Sequence, residues 1–154
     1  MTAAGANRYV KAVLWDMDGT LMNSQPIWDE SFRRRCQERG GTVTPEQVAG
    51  IAGASIARTR ELIAETGATE SPEDPATAEV FARIAADVGE AVRADPPILP
   101  GARRITSMLS EIGLAQVIVT QSPRPIVESV AHALGDVFVE LVTGDDGLPG
   151  KPTP

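Results

Sequence analysis

Val13-Leu14-Trp15-Asp16-Met17-Asp18-Gly19-Thr20-Leu21 is the stretch from which the rest of the chain is read. The apolar run that leads into it predicts a strand from Lys11 to Trp15, followed by two carboxylates one residue apart. Side chains at i and i+2 of an extended chain share a face, so Asp16 and Asp18 can address one centre where the chain leaves a sheet. Two anions at that spacing repel each other. A shared proton would offset the repulsion, and so would a hard divalent cation such as Mg2+, which takes oxygen ligands and keeps its own waters. Gly19 allows a sharp turn that lets neighbouring N–H groups face an anion. Carboxylates, a cation and free amides together suit a phosphoryl group.

Beyond Leu21 the period changes to that of helices. Ile27, Trp28, Phe32 and Cys36 recur at helical spacing until Gly40-Gly41 stops the run. Thr44-Pro45-Glu46-Gln47 has the pattern of a capped helix start, and Gly50 to Gly53 ends that helix. An amphipathic helix from Ser55 carries Ile56, Thr59, Leu62 and Ile63. After Pro72 to Pro75, an Ala-rich helix carries Val80, Phe81, Ile84, Val88 and Val92 up to Asp95-Pro96-Pro97. Alternation then resumes. A helix after Pro100-Gly101 bears Ile105, Met108, Leu109 and Ile112, and Gln116 to Thr120 reads as a buried parallel strand. Ser122 and Pro123 read as N-cap and first residue of a helix that buries Val127, Val130, Ala131 and Leu134, and Val137 to Thr143 as the next strand. The fold class is therefore α/β: a doubly wound, Rossmann-like parallel sheet from residues 9–22 and 98–154, an inserted helical cap over 23–97, and a flexible tail over 1–8.

In open α/β sheets ligands bind beyond the carboxyl ends of the strands. That rule selects Asp16 and Asp18 after the first strand, Thr120 at the end of the second, and the loop from Thr143 to Lys151 after the third. Thr120 offers a hydroxyl, the following helix offers its N-terminal amides, and Lys151 offers a cation.

Asp16-Met17-Asp18-Gly19-Thr20-Leu21 resembles the first motif of the haloacid dehalogenase superfamily in its phosphatase form. Val119-Thr120-Gln121-Ser122 is similar to the second motif, and Gly150-Lys151-Pro152-Thr153-Pro154 to the third. Leu99-Pro100-Gly101 and Ser24-Gln25-Pro26-Ile27-Trp28 look like the helical-cap branch that contains small-molecule phosphatases and β-phosphoglucomutase. The resemblance implies that Asp16 is a nucleophile toward a phosphate monoester and Asp18 its acid and base. Both would be ligands of Mg2+, with Gly19, Thr120, Gln121 and Lys151 at the phosphate. Asn23, Gln25, Ser55 and Arg58 are the substrate candidates on the cap side. Relatives carry acids where Asn23 and Gln25 stand, and mutases carry basic ligands where Ile51 to Ile56 are neutral here, so hydrolysis is favoured over mutase chemistry. The fourth, acidic motif of the superfamily does not occur before Pro154, and Asp145-Asp146 precede Lys151 as loop acids. The expectation is a core left incomplete at its C-terminal side, with an open edge on the first strand.

Bulk properties narrow the classes. With 14 Lys and Arg against 21 Asp and Glu, the net charge is -7, so a nucleic-acid partner is not expected. No apolar run of about 18 residues occurs, which gives no membrane segment. The single Cys36 reads as a buried thiol and suits the reducing cytoplasm. His132 has no companion ligands and reads as structural. The expected partner is a small phosphorylated metabolite. The alternatives are a phosphosugar mutase, or a non-catalytic phosphate-binding or regulatory remnant of such an enzyme.

Overall fold

The structure is a computed structural model and describes residues 10–149 and 151; the tail expected over 1–8 and most of the Lys151 motif lie outside them. Three parallel strands, β1 (Ala12–Trp15), β2 (Ala115–Val119) and β3 (Glu140–Val142), form a sheet in the order β1-β2-β3. Trp15 stands opposite Ile118, and Ile118 opposite Leu141, so these side chains share one face of the pleat. Two helices join the strands: α5 (Ala102–Glu111) leads into β2, and α6 (Arg124–Ala133) connects β2 to β3. Both crossovers step in the same direction, and right-handed connections put both helices on the same face. Contacts agree. Gln116 on β2 donates to the carbonyl of Thr106 in α5 at 2.8 Å, and Ile118 shares a buried cluster with Ile126, Val127 and Val130 of α6.

The opposite face carries Leu14, which is 69% exposed, and the outer edge of β1 pairs with no strand among the described residues. α5, on the other face, also leaves apolar residues uncovered. Ile105, Met108 and Ile112 are exposed, while the helix buries Ala102 and Thr106. The sequence pattern located these apolar residues on the helix without fixing what they face. The small Ala102 and the polar Thr106 let α5 approach β2 closely enough for the Gln116 bond. β3 is also shorter than the expected 137–143, because only Glu140 to Val142 find partners on β2.

Between β1 and α5 the chain forms four helices: α1 (Gln25–Glu38), α2 (Pro45–Gly50), α3 (Ile56–Glu65) and α4 (Pro75–Ala94). Their starts are written in the sequence. Thr44 and Gln47 complete a capping box on α2, Ser55 caps α3 by accepting from the Arg58 N–H, and Asp74 caps α4 by accepting from the Ala76 N–H. Phe32, Cys36, Leu62, Ile63, Val80 and Ile84 bury a second cluster inside this block. α4 joins the two cores, since Val80 and Ile84 sit in the helical cluster and Val88 and Val92 in the sheet cluster. Trp28 packs against both. Cys36 is fully buried, and burial pushes its thiol up, as fits a structural role. No helix among the described residues is long and apolar enough to cross a membrane.

Candidate active site

β1 ends at Trp15, and the next turns are tight. Gly19 has φ +78°, a left-handed conformation in which a side chain would be strained. The turn uses its own amides: Gly19 N–H donates to Met22, and Thr20 and Leu21 N–H donate to Met17. Gly19 thus shapes the loop, and its amide is already bonded. The loop returns to the sheet core through Met17, Leu21 and Met22, all fully buried. With those apolar residues anchored, Asp16 and Asp18 are left lining a single cavity of ≈ 130 Å³ between the strand ends and the helical block.

The two carboxylates are handled differently. Lys151 Nζ meets Asp16 Oδ1 at 2.6 Å, and Thr20 Oγ1 donates to Asp16 Oδ2 at 3.2 Å. Both ends of the Lys151–Asp16 pair are about half exposed, so its worth is positional more than energetic. Asp18 is held by three hydroxyls. Ser122 Oγ donates at 2.7 Å and Thr120 Oγ1 at 3.2 Å to one oxygen, and Ser24 Oγ donates to the other. The repulsion anticipated between the acids is therefore met by an ammonium on one and a hydroxyl cage on the other.

That cage was missed in the sequence, and the reason is instructive. Ser24 and Ser122 both stand at helix starts, where a serine normally caps. Here neither does. α1 has Ser24 at its N-cap position without a side-chain cap bond, and α6 begins after Pro123, so Ser122 is not its N-cap as expected. The first amide of α6, on Arg124, instead donates to Asp145 Oδ1 at 3.1 Å. Asp146 pairs with Arg124 at 2.7 Å and accepts from the Thr143 N–H, and this contact holds the Asp146 carboxyl below its usual range. Asp145 and Asp146 are thus loop acids, as read from the sequence.

A second missed residue is Gly144. A Cβ there would lie 2.0 Å from the carbonyl oxygen of Gln121. Only a glycine lets the loop after β3 lie this close to the loop after β2, where Gly144 N–H donates to Ser122 O at 3.0 Å. That contact fixes the strand-end loops that carry Thr120, Gln121 and Lys151.

Thr120, Gln121 and Lys151 line the same cavity as the acids, and so does Gln25. The other helical-block candidates do not. Asn23 is exposed and ties its N–H to Pro97, Ser55 caps α3, and Arg58 pairs with Glu61 and Glu65 at 2.8 Å each. In their place Trp28, Ile51, Ile56, Thr59 and Phe81 form the wall opposite the acids. Trp28, Thr59 and Phe81 were read only as positions on amphipathic helices, since periodicity does not separate a core residue from one that faces a cavity, whereas Ile51 and Ile56 bound the neutral segment already compared with the mutases' basic ligands.

The fold and site define a Rossmann-like α/β protein whose paired carboxylates, hydroxyls and lysine converge at the carboxyl ends of parallel strands. The chain belongs to the haloacid dehalogenase-like hydrolase family, whose model matches residues 10–154. It is 28% identical over 160 residues to hexitol phosphatase B of Escherichia coli K12, covering 96% of this chain and 66% of that protein. It is 27% identical over 146 residues to phosphoglycolate phosphatase of Rhodobacter capsulatus, covering 93% and 66%. The chain thus spans 66% of the length of these curated relatives. A β-phosphoglucomutase structure from Clostridium difficile superposes with a TM-score of 0.77 at 17% identity, over 94% of this chain and 66% of that one, which speaks for the fold.

Proposed function

We propose that this chain hydrolyses a small phosphate monoester with the help of Mg2+, through a phosphorylated Asp16. The observation that carries the reading is the 2.6 Å contact of Lys151 with Asp16 on a cavity that Asp18 and Thr120 also line. Similarity to two phosphatases of phosphorylated metabolites supports the reaction class.

In the first step an Asp16 carboxylate oxygen attacks phosphorus in line, and the bond from phosphorus to the leaving oxygen breaks as Asp18, in its acid form, gives that oxygen a proton. Asp18, now a carboxylate, then takes a proton from water. The water oxygen attacks phosphorus, the Asp16–phosphorus ester bond breaks, and inorganic phosphate leaves with the Asp16 carboxylate restored. Hydroxyls either donate to a carboxylate or accept from a carboxylic acid, so Ser24, Thr120 and Ser122 hold Asp18 in place in both states. The Lys151 ammonium has three donors and can keep Asp16 while binding a phosphate oxygen. Gln121 is the remaining phosphate contact, joined by Thr120 when its hydroxyl turns from Asp18 and leaves Ser24 and Ser122 to hold that acid, and Gly19 contributes through the turn it permits.

Asp16 and Asp18 present the hard oxygen donors that Mg2+ takes, Asp16 as a carboxylate in the free enzyme and Asp18 whenever it is ionised, and so few protein ligands suit an ion that keeps several waters. The described residues hold no cluster of three or more His, Cys, Asp or Glu side chains, so the donor set fits Mg2+ better than a metal needing an all-protein cage. When bound, Mg2+ supplies positive charge to the phosphoryl oxygens. Residues 23–97 act as the cap that keeps water from the site, and a cytoplasmic setting accords with the one buried thiol.

The test is phosphate release from an aryl phosphate. Release that requires Mg2+ and disappears in Asp16→Asn is expected; release that survives in Asp16→Asn overturns the reading.

A further inference from the structure

We infer that the leaving group this cavity accepts is uncharged, a polyol or other hydroxylated alcohol bearing one phosphate, and that alcohols carrying a carboxylate or a second phosphate are selected against. The inference rests on the phosphatase reading above and concerns the half of the cavity that reading leaves unassigned.

The first observation is charge. Among the described residues lining the cavity, Lys151 is the one cation, and it is already against Asp16. Neither Arg58 nor Arg60 lines it, and Arg58 is bound to Glu61 and Glu65. The charged side chains of the lining, Asp16, Asp18 and Lys151, all belong to the sheet side, where Mg2+ and the phosphate would bind, and the helical wall carries none. A phosphate can enter beside Lys151. A second anion on the leaving group would lose water against the helical wall and find no counter-charge there.

The second observation is hydrogen-bond polarity. Trp28, Ile51, Ile56 and Phe81 give that wall its apolar area, with Gln25 and Thr59 as its polar groups. Thr59 Oγ1 spends its proton on the carbonyl of Ser55 at 3.1 Å, and Gln25 Nε2 donates to Asp29 at 2.7 Å. What these two side chains have left is the lone pairs of the Thr59 hydroxyl, the carbonyl oxygen of Gln25 and its second amide N–H, so acceptor sites outnumber donors. Acceptors pair with the O–H donors of an alcohol. They are mismatched to carboxylate or phosphate oxygens, which only accept. Trp28 and Phe81 in turn offer flat apolar surface to the C–H face of a polyol chain or ring.

The experiment compares three monoesters on the full chain with Mg2+: a hexitol 6-phosphate, 2-phosphoglycolate and a hexose 1,6-bisphosphate. Specificity is read as kcat/KM for phosphate release. Affinity is read separately by calorimetric titration into Asp16→Asn, which cannot form the ester. The hexitol phosphate is expected to lead the other two by at least tenfold in both. In Ile56→Lys, which places a cation on the helical wall, the ratio should move toward 2-phosphoglycolate by about tenfold. Equal or better use of either ester with an anionic leaving group by the unaltered chain would overturn the inference, as would an unmoved ratio in Ile56→Lys. Should no ester be hydrolysed, the phosphatase reading fails, yet the order of affinities still decides this inference; binding of none of the three overturns it too.

Discussion

The sheet side of the cavity presents Asp16, Asp18, Thr120 and Lys151, whereas the helical side presents Trp28, Ile51, Ile56 and Phe81 around Gln25 and Thr59. On the sheet side every polar group is fixed by another, through the Lys151 contact and the hydroxyls around Asp18. The helical side is positioned by packing, since Ile51 belongs to the buried helical cluster and Trp28 and Phe81 pack against it. On the proposed function, the difference teaches that chemistry and selection are encoded in separate ways. A strand end delivers a reactive group at a predictable place. A cavity wall made of helix faces has no local signature.

Substitutions on the two sides should therefore separate rate from affinity. The largest effect is expected from Lys151→Met, which removes the cation beside Asp16: kcat for phosphate release should fall by about 10²–10³-fold, the scale seen when one charge-stabilising donor is deleted. A fall in affinity alone, with kcat intact, would break the division. Gly144→Ala comes next. Its methyl group collides with the Gln121 carbonyl, so the loops after β2 and β3 must separate, and kcat should drop by about 10²-fold through misplacement of Thr120 and Lys151. Circular dichroism should show the helices retained.

On the helical side, Phe81→Ala should raise KM several-fold while leaving kcat within about twofold, because it removes binding surface common to ground and transition states. The smallest effect on rate is expected at Asp87, which lies behind the wall. Ser31, Arg34 and Arg35 of α1 reach this α4 carboxylate at 2.6–2.8 Å, setting the spacing of the helices that carry Trp28 and Phe81. Arg35 first, with Ser31 and Arg34, holds the Asp87 carboxyl well below the usual carboxylate range. Because the folded state depresses this group, its stabilisation is complete above the unfolded value near pH 4 and disappears as pH falls through the lower folded value. Asp87→Asn should cost about 1–2 kcal/mol at pH 7, allowing for the exposure of the arginines. Melting curves should show that deficit unchanged from pH 7 to about 5 and shrinking only in stronger acid.

How far the sequence could be read follows the same line. Asp16, Asp18, Thr120 and Lys151 were legible because parallel strands put their carboxyl ends on one side. The capping box at Thr44 and Gln47 was equally legible, being complete within four residues. Ser122 misled because a serine at a helix start satisfies two patterns, and a tertiary partner, Asp18, chose between them. The exposed Ile105, Met108 and Ile112 show a related limit: periodicity finds an apolar stripe but not what lies against it. Gly144 carried no local mark at all, since its requirement comes from a loop more than twenty residues earlier.

The most direct test of the account is the covalent step at Asp16. The chain, mixed with Mg2+ and a phosphate monoester and quenched in acid during turnover, should yield a peptide spanning Val13 to Leu21 that has gained the mass of one phosphoryl group on Asp16. Turnover with no label on that peptide, or with the label on Asp18, would contradict it.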